Sequence, residues 1–166
     1  MEIIQLEKKH AKIYHSLRLE ALKNHPSYFA ASYEEEGNAS FKKYEERFKN
    51  PKNSYTFGAF MDGDLVGIIT LIRMPMEKLN HRTSIVAMYT KKEKQGMGIG
   101  RALMKRAIEK AKNLKGVEQI HLTLVTTNLA AKKLYSSFGF EVIGFEKEAL
   151  KYDGKYVDEE NMVLFL

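Results

Sequence analysis

The chain has 166 residues, of which 44% are hydrophobic and 29% charged, with a formal charge of +6 and no cysteine. That length supports one self-sufficient core, so residues 1–166 are read as a single domain, and no apolar run is long enough to span a bilayer, so no membrane partner is expected. The missing thiols exclude disulfides, thiolate metal sites and a cysteine-linked acyl intermediate, and the positive surplus alone does not choose an anionic partner.

The opening Met1-Glu2-Ile3-Ile4-Gln5-Leu6 has no basic lead before a long apolar stretch. It does not resemble a secretory signal, and a cytoplasmic location is expected. Glu2 to Leu6 reads instead as a short strand. From about Lys8 to Lys23, Ala11, Tyr14, Leu17, Ala21 and Leu22 recur at helical spacing, and Asn24-His25-Pro26 should stop the helix because proline disfavours helix before it. A second helical region runs in pieces from about Ser27 to Lys49, with Phe41, Tyr44 and Phe48 on one stripe, until Asn50-Pro51 breaks it. Asn38-Ala39-Ser40 fits a glycosylation pattern, but without an export route it is read as a surface turn before a helix.

Tyr55 to Met61 and Leu65 to Arg73, joined by Asp62-Gly63, give the clearest hairpin signal in the chain. Pro75 ends that pair, and Thr83 to Thr90 forms a fourth strand rich in apolar and β-branched residues. Gly98 to Lys112 is an amphipathic helix, with Ile99, Leu103, Ala107, Ile108 and Ala111 on the core face. Gln119 to Val125 is a strand, and Asn128 caps a short helix ending at Phe138, with Gly139 placed to terminate it. Phe140 to Ala149 and Tyr156 to Leu166 complete the set as two strands joined near Asp153-Gly154.

Between the fourth strand and the amphipathic helix stands Gln95-Gly96-Met97-Gly98-Ile99-Gly100-Arg101-Ala102. Glycines in a strand-to-helix turn let main chain approach a ligand, and the first free N–H groups of the helix, at its positive end, suit phosphate oxygens. A Walker loop would need lysine and a hydroxyl residue where Arg101 and Ala102 stand, and the dinucleotide fingerprint needs glycine at Arg101. Neither fits. The spacing that does fit is Gln-x-x-Gly-x-Gly at Gln95, Gly98 and Gly100. It resembles the pyrophosphate-binding motif of the GNAT superfamily of N-acetyltransferases. Ala87-Met88-Tyr89-Thr90 is similar to the family's strand end for the pantetheine arm, and Asn128, Leu134-Tyr135 and Phe138-Gly139-Phe140 are similar to its downstream signature. Glutamine stands at Gln95 where the family often has arginine, and the proline common at Lys92 is missing.

The resemblance implies an α/β (α+β) fold with a mixed, mostly antiparallel sheet of about seven strands, flanked by about four helices, with strands four and five a splayed parallel pair. It implies acetyl-CoA as co-substrate, no metal, and acetyl transfer to a primary amine of a small molecule or peptide by direct attack in a ternary complex. The cofactor-binding residues it indicates are Met88, Tyr89, Thr90, Gln95, Gly96, Met97, Gly98, Ile99, Gly100, Arg101, Asn128 and Tyr135. It also implies an oxyanion donor in the main chain near Met88 or Tyr89, and Tyr135 as the acid for the departing thiolate.

Each residue also has a structural reading. Tyr135 alone would be a half-buried core aromatic, Asn128 a helix cap, and Lys91-Lys92-Glu93-Lys94 a solvated turn. No base is assigned. The fourth strand has no Asp or Glu, and His81 and His121 read as structural or surface histidines. Glu34-Glu35-Glu36 is taken for a solvated face, as are Asp153, Asp158, Glu159 and Glu160. The alternatives kept open are a non-catalytic CoA-binding module and a protein N-terminal or lysine acetyltransferase. The dispersed lysines carry no recognition pattern for nucleic acid, so none is expected as a partner. The acceptor, and whether the chain is a monomer or a homodimer, are left open.

Overall fold

A computed structural model describes residues 1–166. Seven strands form one sheet in the order β1-β2-β3-β4-β5-β7-β6. They are β1 (Glu2–Gln5), β2 (Ser54–Met61), β3 (Asp64–Arg73), β4 (Arg82–Thr90), β5 (Gln119–Val125), β6 (Glu141–Tyr152) and β7 (Lys155–Phe165). Only β4 and β5 run parallel. The hairpins turn where expected, with Asp62-Gly63 and Asp153-Gly154 all at positive φ. The β6–β7 ladder continues to Tyr152 opposite Lys155, which carries β6 past the expected end at Ala149.

There are five α-helices, one more than the sequence suggested: α1 (Ala11–Asn24), α2 (Tyr33–Asn38), α3 (Lys42–Lys49), α4 (Ile99–Lys112) and α5 (Leu129–Ser136). The extra one comes from the stretch read as one region in pieces. Ser32 and Glu35 close a reciprocal capping box that starts α2, and extended backbone at Ala39 separates it from α3.

Apolar faces place the layers. On one side of the sheet, Leu103, Met104, Ala107 and Ala111 of α4 pack on Phe57, Val66, Ile69, Leu71, Ile85, Ile120 and Leu122, and Tyr135 of α5 joins them. On the other, Tyr14, Leu17 and Ala21 of α1 and Tyr44 and Phe48 of α3 cover Ile68 and Tyr89. Gly67 on β3 lets α4 approach closely, since a Cβ there would stand 2.9 Å from Ile99 Cγ2 and 3.0 Å from Leu103 Cδ1.

The feature that positions the site is a split in the sheet. β4 and β5 pair only at Arg82–Gln119, Thr83–Ile120 and Ser84–His121. Beyond them β4 carries a bulge. Thr70 of β3 faces Val86 and Ile68 faces Tyr89, so two residues, Ala87 and Met88, oppose one, and Ala87 takes a φ of 54°. Past Ser84 and His121 the facing edges of β4 and β5 are no longer paired with each other, although β4 stays on β3 and β5 on β7.

Candidate active site

A cleft of about 660 Å³ occupies this split. The end of β4, the glycine turn, β5 and α5 line it on one side, and the segment His25 to Phe29, which includes a 3₁₀ turn (Pro26–Tyr28), lines it on the other. Met88, Tyr89, Thr90, Gln95, Gly96, Gly98, Ile99, Gly100, Arg101, Asn128 and Tyr135 all border it. Met97 does not. Its side chain is 53% exposed and outside the lining, so what it can offer a ligand is its main-chain N–H.

The turn is built as an anion cradle. Gly98 caps α4 at φ 78° and Gly96 sits at φ 79°, conformations that favour glycine, and a Cβ at either would meet nothing within 4 Å. Space therefore stays open above the turn. The first helical bond is Ala102 N–H to the Gly98 carbonyl at 3.0 Å, and the main-chain N–H groups of Gly96 through Arg101 have no backbone acceptor in the chain. These six donors stand at the positive end of a 14-residue helix, which suits phosphate oxygens. Gln95 Nε2 donates to the Thr90 carbonyl at 3.4 Å and ties the turn to the strand end. Arg101 donates from Nη2 to Ser137 Oγ at 2.9 Å and lies over Phe138, so its side chain holds α5 against the turn.

Tyr135 is 8% exposed, and its hydroxyl donates towards Met88 Sδ at 3.6 Å. Burial pushes its phenol up to about 12, so it keeps its proton across the neutral range. Asn128 caps α5, accepting from Ala131 N–H at 3.1 Å, as its structural reading has it, and also borders the cleft.

Tyr89 borders the cleft and also has a structural task. Its ring packs in the core beneath α1, and its hydroxyl donates to Glu20 at 2.9 Å and accepts from Asn24 at 3.2 Å. Burial pushes this phenol, too, up to about 12. The side chain anchors the end of β4 to α1.

No aspartate or glutamate borders the cleft, and neither His81 nor His121 does. His121 pairs with Gln119 at 2.8 Å, and burial, with Arg82 and His81 nearby, lowers its pKa. The imidazole that the cleft does contain is His25, stacked on Tyr28 at 5.2 Å and 6.1 Å from the Tyr89 ring. The sequence reading used His25 only as part of a helix stop. The signal available was its place at the end of α1, which acquires meaning only when the chain turns back over the split.

The solvated reading of Glu34-Glu35-Glu36 also fails for Glu36, which is buried, accepts from the Tyr44 hydroxyl and pairs with Lys43 Nζ at 2.6 Å. Glu160 is paired with Lys132 at 2.7 Å. Glu159 has its pKa raised by burial and by Glu146 opposite it on β6.

A splayed parallel pair, a glycine turn of free amides and a buried phenol thus meet at one cleft. The chain belongs to the Acetyltransferase (GNAT) family, which it matches over residues 12–140, and it is an acetyl-CoA-dependent acyltransferase. It is 30% identical over 115 residues to an L-amino acid N-acetyltransferase, AaaT, of Escherichia coli (strain K12), a match covering 69% of this chain and 70% of that protein. It is 29% identical over 90 residues to a spermine/spermidine N(1)-acetyltransferase of Bacillus subtilis (strain 168), covering 52% of this chain and 59% of that one. Its fold superimposes with a TM-score of 0.83 on the acetyltransferase yncA of Salmonella typhimurium, solved with acetyl-CoA, at 19% identity and covering 100% of this chain and 94% of that one.

Proposed function

We propose that residues 1–166 act as one N-acetyltransferase domain that moves an acetyl group from acetyl-CoA to a primary amine of a small molecule or peptide, by direct attack with both substrates held together. The observation that carries this reading is the run of free amides from Gly96 to Arg101 opening on the same cleft as Tyr135. The names of the relatives support it, since one acts on L-amino acids and another on spermine and spermidine.

Acetyl-CoA brings a diphosphate for the turn and a thioester for aminolysis. The amides of residues 96 to 101 bind the diphosphate, and Asn128 borders its path along α5. Main chain at Met88, which the bulge leaves without a register partner on β3, offers N–H to charge developing on the acyl oxygen, an interaction worth about 3–4 kcal/mol where such donors have been removed. An amine of ordinary lysine-like pKa costs about 4–5 kcal/mol to deprotonate at neutral pH, so a proton acceptor matters. His25 is the side chain we assign to that step, as the one imidazole or carboxylate bordering the cleft. Tyr135 holds a proton where a leaving thiolate would take it.

The test is calorimetry with CoA, then thiol release measured on amino acids, polyamines, aminoglycosides and peptides. Saturable CoA binding with turnover of one of these amine classes is the expected result. Absence of heat with CoA would end the proposal, and binding without turnover of any amine would favour a non-catalytic module.

A further inference from the structure

The cleft is bordered from both faces of the sheet, and the two borders differ. Ile85 of β4 and Leu122 and Leu124 of β5 pack in the cluster beneath α4, so their neighbours Val86 and Thr123 point to the opposite face. The glycine turn that opens α4, and Tyr135 of α5, stand on the first face. The second is the face of α1, and the 3₁₀ turn that follows α1 reaches over β5 and β6. His25, Tyr28 and Phe29 therefore border the cleft from the side that the diphosphate does not use. That side is left to the acceptor.

Val86 stands out on it. β4 is the middle strand of the sheet, yet Val86 borders the cleft with 40% of its surface exposed. Its partner on β3, Thr70, is fully buried, so the exposure lies towards the unpaired edge facing β5. Beside it the rings of His25 and Tyr28 are stacked 5.2 Å apart and 14° from parallel. The charged side chains that border the cleft are Lys94 and Arg101, which flank the glycine turn. A second ammonium on the acceptor would find no carboxylate here, and a carboxylate would find no lysine or arginine on its own side of the cleft. Glu159 stands opposite Val125, and Glu146 opposite Glu159, one and two strands further out, and neither borders the cleft. Charge at the far end of an acceptor would thus lose water without gaining a partner.

We infer that the acceptor is an aromatic monoamine, a single primary amine on a short chain bearing a flat apolar group, with the amine at His25 and the apolar group against Val86, Tyr28 and Phe29. This rests on the acetyltransferase reading above and narrows its acceptor. Covering Val86 and the neighbouring rings removes apolar surface from water, and an aromatic group adds edge or offset contacts with Tyr28 and Phe29.

The experiment compares 3-phenylpropylamine, propylamine, L-alanine and spermidine as acceptors for the wild type, Val86→Asp and Val86→Thr, with CoA calorimetry and melting run alongside. The wild type should use 3-phenylpropylamine at least about tenfold better than propylamine in kcat/KM, because the two present the same amine and differ in the apolar group. Val86→Asp should lower kcat/KM for 3-phenylpropylamine by at least about tenfold and raise it for spermidine, opposite changes that damage to the fold would not produce. Should that variant not fold, Val86→Thr, of nearly the same shape, decides the contact: a loss confined to the phenyl-bearing amine supports it, and an equal loss with propylamine overturns it. Equal use of propylamine and 3-phenylpropylamine by the wild type, or a preference for spermidine or L-alanine, overturns the proposal while the acetyltransferase reading stands. If the wild type binds no CoA, or binds it and turns over no amine, that earlier reading falls instead, and direct titration of 3-phenylpropylamine decides the pocket. Saturable binding weakened in Val86→Asp keeps the proposal, and no binding ends it.

Discussion

The hydroxyl of Tyr135 and the sulfur of Met88 stand 3.6 Å apart, joining α5 to the bulge of β4 across the place where β4 leaves β5. One residue comes from the downstream signature and the other from a strand 47 positions earlier. Their meeting makes the phenol part of the cleft as well as part of the core.

Replacing Tyr135 by Phe should therefore lower kcat by about a hundredfold while CoA affinity stays within about twofold, since proton donation is lost and packing is kept. Steady-state kinetics with CoA calorimetry check this, and an unchanged kcat would remove the acid role.

The same phenol gives a stability prediction. Tyr135 and Tyr89 are both raised from 10.0 to about 12, so the folded protein retains protons that the unfolded chain releases. Their contribution is complete below the unfolded value and is lost as pH climbs through the folded one. Unfolding free energies from urea titration should fall between about pH 10 and pH 12, by about 1–1.5 kcal/mol at pH 11 and up to about 2–3 kcal/mol at the upper end for a buried phenol shifted this far. Tyr135→Phe should lose less over that interval. Equal losses in both proteins would contradict the buried, raised phenol.

Gly98 tests the cradle. Valine there must adopt φ 78°, at a cost of about 1–2 kcal/mol, but its Cβ would touch nothing in the protein. Gly98→Val should melt somewhat lower and bind CoA at least about tenfold more weakly. CoA affinity equal to wild type would place the diphosphate elsewhere.

His25 tests the proposed proton acceptor. With His25→Gln, kcat/KM is expected to drop by about a hundredfold while CoA affinity stays within about twofold. An unchanged kcat/KM would send the proton to another group or to water.

Much of this was legible locally. The turns at Asp62-Gly63 and Asp153-Gly154, the strand Gln119–Val125 and the cap at Asn128 follow from residue types that act on their neighbours. The glycine turn was legible for the same reason, because free amides and positive φ are properties of the turn itself. What escaped depends on contacts between distant segments. Glu36 resembles Glu34 and Glu35 in sequence, yet Tyr44 and Lys43 bury it. Nothing local to Tyr89 tells that Glu20 and Asn24 hold its hydroxyl. His25 lies at the end of a helix whose placement against the split cannot be known before the sheet is assembled.

The three rungs shared by β4 and β5 make a seam fastened at one end only. Strands β1 to β4 and β5 to β7 thus behave as two plates held by that seam and by the helix lying across it. An occupant of the open end supplies the missing rungs. Amide deuterium uptake at residues 85–90 and 122–125 should therefore slow when the cleft is filled, giving a label-free gauge of occupancy for any donor or acceptor.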